Sequence, residues 1–512
     1  MKWSNRLKRG VAPGPGTSSG GLGLRPNTGM RQGLFAGRSA LRAIRALGPR
    51  VAANKQHWAR ATSTLIKLAW PITISMLGET ALGLVDTKLV GGLGAAALAG
   101  VGMASVLLFL GTSVVMGLMR GVKVRVAYAV GEGRPGDTIR YAQAGLILGG
   151  VAGVLLGLAA LDVTRVLELL QIDKSMLPYA RDFLHARAPG FVGTCGSAAL
   201  IQYRQGLGDS RTPMVVGIGG NIVNAALAYS LIYGRFGLPA LGVRGAGYGT
   251  ATTELLELAA LLALTIRERS RTAAPSISIR QALDDIRTIG VAPALQRGLE
   301  LSAFTAFTAI LGSFGAVQMA AHQIAMSTIR ASFLPGFALA EAASVLVAQA
   351  LGRKRLDEAD RVTGAAIGLG VGFMSICGIA FGIFGGAIAG FFSADPEVIE
   401  VSRRLLLMAS AFQAMDAINI ILRLALIGAK DVRWVAVVGT TVVWTCTTGA
   451  AFVLGMKLGW GALGGWTGFL IETTVGSFLF GWRWTHGPWR TAFTPADSVS
   501  GRIPALTPVS TG

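Results

Sequence analysis

Between Ser63 and Trp484 the chain is a succession of twelve apolar stretches, each long enough to cross ~30 Å of hydrocarbon at about 1.5 Å per residue. They fall at 64–90, 95–119, 141–165, 179–203, 212–234 and 242–266, then at 288–311, 316–344, 362–392, 401–427, 432–456 and 461–484. A polar, basic connector, 267–287, divides six from six. The predicted fold class is an all-α polytopic membrane protein of twelve transmembrane helices in two six-helix lobes. The predicted boundaries are a basic disordered tail over 1–60, an N-lobe over 61–266, a C-lobe over 288–486 and a disordered tail over 487–512.

The two halves are copies of one unit. A shift of 221 positions sets Gly312 on Gly91, Gly315 on Gly94, Glu300 on Glu79, Ala348 on Ala127, Gly352 on Gly131, Glu358 on Asp137 and Arg361 on Arg140, without a gap. Each copy has an even number of spans, so both enter the membrane in the same sense. The lobes are therefore related by a pseudo-twofold axis along the membrane normal rather than by an inverted repeat.

Charge fixes the orientation. Connectors after spans two, four, six, eight and ten carry Arg or Lys, including Arg134, Arg140, Arg211, Arg353, Lys354 and Lys430. Those after spans one and seven carry none, and the one after span nine is acidic. Basic residues stay on the cytoplasmic side, so both termini are expected there. The same distribution explains the formal net charge of +21 without nucleic acid. Thirteen Lys and Arg fall between Lys2 and Lys67, and most others flank apolar runs. A mean hydropathy of +0.55 with only 14% charged residues excludes an ordinary soluble domain. Residues 1–60 read as a cytoplasmic tail or a product of too early a start codon, with an organellar transit peptide as the alternative. The expected location is a bacterial inner membrane or plasma membrane, or an organellar membrane if that alternative holds.

Cys195, Cys377 and Cys446 lie far apart in apolar runs, and the four histidines are scattered, so no metal centre or cofactor is expected. Nothing supplies a Ser/His/Asp arrangement or a phosphate loop, and an enzyme is not expected.

Carboxylates within the spans carry the functional signal, because a charge near the bilayer centre is expensive. Glu300 sits about eleven residues into a helix entering from inside, and Asp416 about twelve residues into one entering from outside. Both fall near mid-depth, where two carboxylates repel and invite a cation. Glu79 and Asp86 share a face of the first span, nearly two turns apart. Arg297, at i,i+3 from Glu300, can reach that carboxylate; the alternative is that it snorkels towards the cytoplasm. Glu254, Glu257, Glu341 and Glu472 read as structural, and His322 as a hydrogen-bonded core histidine.

Several motifs together resemble the multidrug and toxic compound extrusion (MATE) family, over nearly everything from Pro71 to Trp484. LVDTKLVGGLGAAALAG resembles the family's first-span motif, with Pro71 fifteen residues earlier, and RQGLGDSRTP its fourth-to-fifth connector. FGLPALGVRGAGYGTA resembles the lead into the sixth span. Glu300 followed by AAHQIA, and MDA at 415–417, resemble the bacterial sodium-coupled branch. The resemblance implies an antiporter whose two lobes form a V around a central cavity. Such a protein exports organic, often cationic and aromatic compounds against inward Na⁺ or H⁺, and is expected to work as a monomer in the lipid bilayer. It places Glu300 and Asp416 at the cation site, and Asp86 and Asn224 at an N-lobe site with Glu79 near by. There are departures: Ala228 stands where relatives carry Asp or Asn, Phe412 replaces a Tyr, Arg297 replaces an apolar residue and Lys88 closely follows Asp86. A lipid-linked oligosaccharide flippase of the same superfamily is the alternative function, favoured if Lys88, Arg120, Lys123, Arg125 and Arg297 line the cavity.

Overall fold

The computed structural model describes residues 55–169, 173–269 and 274–493. In chain order the helices are α1 Lys55–Gly91, α2 Ala95–Gly131, α3 Pro135–Leu169, α4 Leu177–Arg187, α5 Gly190–Leu207, α6 Arg211–Tyr233 and α7 Val243–Arg269. The second half repeats this order as α8 Ile279–Gly312, α9 Ala316–Gly352, α10 Leu356–Phe392, α11 Pro396–Gly428, α12 Val432–Val442 and α13 Gly461–His486. α4 and α5 form the fourth span, broken at Ala188 and Pro189. α12 continues in wide π turns over Val443–Thr448 and Ala451–Lys457, completing the eleventh. Twelve spans result among the described residues, as the apolar runs require.

Most helices outrun the bilayer. α8 begins at Ile279, inside the expected connector, because Ser278 caps it by accepting a hydrogen bond from the Gln281 amide. α1 begins at Lys55, so the expected N-terminal tail is helical over its last residues; residues 1–54 lie outside the described part. The disordered tail expected from 487 is corrected for Pro488–Phe493, which form a 3₁₀ turn. Trp489 packs on Trp484 with ring centroids 4.7 Å apart, and Arg490 pairs with Asp360 at 2.7 Å. An aromatic contact and an ion pair thus hold six residues that composition alone marks as tail; residues 494–512 are not among those described.

The twofold repeat is visible in the backbone. Gly94 and Gly315, 221 positions apart, precede α2 and α9 with φ of 106° and 102°, a conformation only glycine adopts without strain. Glycines at four-residue spacing in the third and ninth spans behave differently in the two copies. Gly149, Gly153 and Gly157 of α3 leave room for the α5 backbone at Cys195, Phe191 and Ala188. Of the α10 stripe, Gly368 receives the Trp58 ring and Gly372 faces open space.

Among the described residues the lobes share core clusters towards the ends that carry the basic connectors. One core cluster there links Leu65 and Leu68 of α1 and Ala127 of α2 to Ala343 and Val347 of α9 and Ala425 of α11. A second links α2, α3 and α5 to Ile286 of α8. The clusters of the outer halves each belong to a single lobe: Val101, Phe183 and Ile232 in one, Phe307, Phe381 and Trp466 in the other. The molecule is a V, closed at the end that carries the basic connectors and open at the other.

That closure has polar pins at the axis. Residues related by a twofold axis can touch only beside it. Gly131 and Gly352 are repeat mates, and a methyl group on either would overlap the other's helix. Arg120 and Glu341 are also repeat mates, 221 positions apart, and pair at 2.9 Å across the lobe interface. Lys123, 1% exposed, pairs with the same Glu341 carboxylate. Arg125 adds a 2.8 Å pair to Asp285.

Removing one partner of a buried ion pair typically costs about 3–5 kcal/mol, because the other charge is stranded. Glu341→Ala, which strands both Arg120 and Lys123, is expected to lower Tm and to expose a cysteine placed at Val124 to cytoplasmic-side labelling. Lys123→Met combined with Glu341→Met should recover much of the loss. Unchanged melting and labelling in Glu341→Ala would show that the pins do not hold the closure.

Candidate functional site

A cavity of about 410 Å³ opens within the C-lobe and against α2. Its acidic lining is Glu300 from α8, Asp416 from α11 and Glu472 from α13. Glu300 is buried, 6% exposed, and its Oε1 is engaged twice. It takes an ion pair from Arg423 of α11 and a 2.9 Å hydrogen bond from the Gln296 side-chain amide, one turn earlier on α8. Gln296 also donates to the Val435 carbonyl at 3.4 Å, which ties α8 to α12.

Asp416 is different. It has neither hydrogen-bond nor ion-pair partner among the described residues, and the charges that act on it are those of Glu472 and Arg423. Glu472 accepts a 2.8 Å hydrogen bond from the Thr447 hydroxyl, which the first π turn presents. Its charge also acts with those of Arg423 and Glu300, so the three carboxylates form one electrostatic group. They do not converge on a point: among the described residues no three acidic, His or Cys groups are placed to hold a metal ion.

The rest of the lining is aromatic and cationic. Phe304, Phe333, Phe337, Phe412 and Phe469 form much of the wall, with Phe412 and Phe469 ring centroids 6.1 Å apart. Arg120, Arg297, Arg330 and Arg423 also reach the cavity. Arg423, rather than Arg297, holds Glu300. Its sequence signal is the spacing: Arg423 follows Asp416 by seven residues, two turns, on the same face of an apolar helix. Glu472, which reads as structural from sequence, is a cavity residue.

The N-lobe residues gather elsewhere. Asn224 of α6, 1% exposed, donates through its side-chain nitrogen to both Asp86 oxygens, at 3.3 and 3.5 Å. Glu79 shares α1 with Asp86, and its charge acts on Glu257 of α7. Glu254, one turn before Glu257, pairs with Arg187 at 2.5 Å. None of these residues lines the C-lobe cavity. His322 accepts a 3.2 Å hydrogen bond from the Trp466 indole within an aromatic cluster, a packing role.

Of the five basic residues whose exposure in the cavity bears on the flippase alternative, Arg120 and Arg297 line it. Lys123 and Arg125 are committed to inter-lobe pairs, and Lys88 lies in the last turn of α1 at the outer end.

Comparison with known proteins follows this geometry. The MatE family model matches residues 71–230 and 294–448, one segment in each lobe. Multidrug resistance protein MdtK of Yersinia pestis (strain Pestoides F) is 28% identical over 429 residues, covering 81% of this chain and 93% of that protein. MdtK of Yersinia enterocolitica is 28% identical over 433 residues, covering 82% and 94%. Among solved structures, the MATE transporter VcmN of Vibrio cholerae, as its bent form, superposes with a TM-score of 0.76 at 16% identity, covering 86% of this chain and 98% of that one. A MOP superfamily transporter from Pyrococcus furiosus, described as having a binding pocket of reverse polarity, superposes with a TM-score of 0.75 at 19% identity, covering 85% and 96%. A family model matched in both lobes of a doubled six-span unit places this chain in the MatE family, as an integral membrane transporter.

Proposed function

We propose that the protein is a secondary antiporter that exports amphipathic organic compounds in exchange for an inward cation, by alternating access. The observation that carries this reading is the C-lobe cavity, where three carboxylates share one aromatic-walled space on the outward-open side of a closed cytoplasmic interface. In this state the carboxylates face the side from which a driving cation arrives. Its entry supplies about 2.3 kcal/mol per charge per 100 mV of membrane potential. That energy drives export only if cation and cargo bind the two conformations unequally. Competition for the same carboxylates is the simplest way to make them do so.

Asp416 and Glu472 are the groups that load the cation, with Glu300 joining when Arg423 releases it. Phe412 forms part of the cargo wall. Asp86, steadied by Asn224, is a second site for cation or cationic cargo, and Glu79 extends the acidic face of α1. The geometry suits a proton better than a sodium ion. A proton needs one carboxylate oxygen, which the unpartnered Asp416 offers. A metal ion needs several ligands at once, and Arg423 occupies Glu300. The relatives named multidrug resistance proteins support drug-like cargo. So does the cavity size: 410 Å³ falls in the range that encloses one drug-sized molecule. A lipid-linked oligosaccharide needs far more room, and only two of the five diagnostic basic residues line the cavity. A bacterial inner membrane or plasma membrane is the implied location.

Proteoliposomes carrying a fluorescent organic cation test this directly. An imposed pH gradient without Na⁺ is expected to drive export; transport under a Na⁺ gradient alone would overturn the proton assignment. Asp416→Asn and Glu472→Gln are each expected to reduce gradient-driven export by about 10²-fold, a loss of about 2.7 kcal/mol, in protein that still elutes as a folded monodisperse species. Export at the parent rate in both variants would remove these carboxylates from the coupling site. Asp86→Asn is expected to weaken apparent cargo affinity while leaving the pH gradient able to drive what transport remains.

A further inference from the structure

A second pocket, of about 270 Å³, lies at the end that carries the basic connectors. There α1 of the N-lobe meets α9 and α10 of the C-lobe. Arg60 and Thr64 of α1 line it, with Leu346 of α9, Arg355 of the α9–α10 turn and Arg361 of α10. Three guanidinium groups from three parts of the fold therefore share one concavity with a single carboxylate, Glu358. Glu358 is itself divided between Arg353 at 2.7 Å and Arg355 at 3.6 Å, and Arg361 pairs with the exposed Asp357 at 2.6 Å. Arg60, Arg353, Arg355 and Arg361 against Asp357 and Glu358 leave a local charge of +2.

Depth and surroundings identify the anion that suits this charge. The apolar spans begin at 64 in α1 and at 362 in α10, and end at 344 in α9. Every lining residue falls within seven positions of one of those limits. The pocket thus sits at the level of the lipid headgroups, where basic pockets between spans meet anionic lipid. The surface that continues from it is apolar. Gly368, Gly372, Ile376, Ile379 and Ile383 follow Arg361 along one face of α10. The Trp58 ring covers Gly368, Gly372 faces open space, and the three isoleucines are 60–69% exposed. A soluble anion gains nothing from such a track, whereas acyl chains lie along it.

We propose that this pocket binds the phosphate of an anionic phospholipid of the cytoplasmic leaflet, with its acyl chains along the exposed face of α10. Guanidinium groups suit the role because their paired N–H donors match phosphate oxygens. A zwitterionic headgroup is disfavoured, because it brings its own ammonium into a positively charged pocket. The volume is below the range that encloses drug-sized cargo, and it admits a headgroup whose chains remain outside. The bound headgroup touches α1 and both C-lobe helices at once. It therefore favours the closed arrangement of this end over any in which those helices part.

Native mass spectrometry of the full chain tests the site without reading transport, so its outcome is independent of the exporter reading. Detergent-solubilised protein is offered equal amounts of phosphatidylglycerol and phosphatidylcholine, and the lipid retained by each molecule is counted. One phosphatidylglycerol is expected to be retained, with a Kd about tenfold lower than that of phosphatidylcholine. Arg60→Gln and Arg361→Gln are each expected to cut that preference several-fold, and Arg361→Lys to keep part of it. Arg280→Gln removes a charge from the same end but outside the pocket, and should leave the preference intact. The comparison of lipids on the unaltered protein needs no variant, so a misfolded mutant cannot obscure it. Equal retention of the two lipids, or a preference that survives both pocket substitutions, would overturn the site. Displacement of phosphatidylglycerol by millimolar inorganic phosphate would show a pocket for a soluble phosphate and overturn the lipid assignment.

Discussion

The structure depends on two buried carboxylates, Glu300 and Glu341, 6% and 7% exposed. Glu300 is held by Arg423 and Gln296, and Glu341 by Arg120 and Lys123. Both carboxylates lie inside an assembly whose outer surface is hydrocarbon-like, as the exposed Val151, Leu155, Ile376, Ile379 and Ile383 attest. Such pairs add little net stability against a well-packed apolar alternative, yet breaking one is costly. They behave as switches that are expensive to leave half thrown. Glu341 performs that role at the lobe interface and Glu300 in the cavity. Arg120 belongs to both places, because it pairs with Glu341 and also lines the cavity.

This shared residue gives alternating access a physical path. Opening the cytoplasmic side requires the Gly131–Gly352 contact and the Glu341 pairs to part, and the outer halves to close. A ligand biases that exchange only by its unequal affinity for the two states. In the proposed cycle, a cation on Asp416 or Glu472 would change the charge balance around Arg423, whose field both carboxylates share. Cargo on the same carboxylates changes it differently.

Much of this was legible in the sequence. Apolar run length gave twelve spans because a lipid-crossing backbone must satisfy its own hydrogen bonds, which leaves helix as the single local option for such runs. The 221-residue register fixed the axis well enough that Gly131–Gly352 and Arg120–Glu341 could have been read as axial contacts. The depth argument set Glu300 and Asp416 at one level, and both line the cavity; the family resemblance assigned Asp86 and Asn224 to the N-lobe, and their hydrogen bond is what the structure adds. What escaped was competition between partners. Arg297 is nearer to Glu300 along the chain, but Arg423 reaches it across the helix interface, and sequence separation does not report on that. Glu472 escaped because its neighbour Thr447 sits in a π turn, whose changed periodicity turns a side chain out of its α-helical direction. Pro488–Phe493 escaped because composition suggests a tail, whereas Trp489 and Arg490 anchor it.

The central claim is that cation and cargo contend for the same carboxylates, and proton counting tests it most directly. Purified protein in weakly buffered solution, at a pH where a proton gradient drives transport, should release about one proton per molecule of basic cargo bound, and Asp416→Asn should diminish that release. Cargo that binds with undiminished affinity and releases no proton would contradict the account.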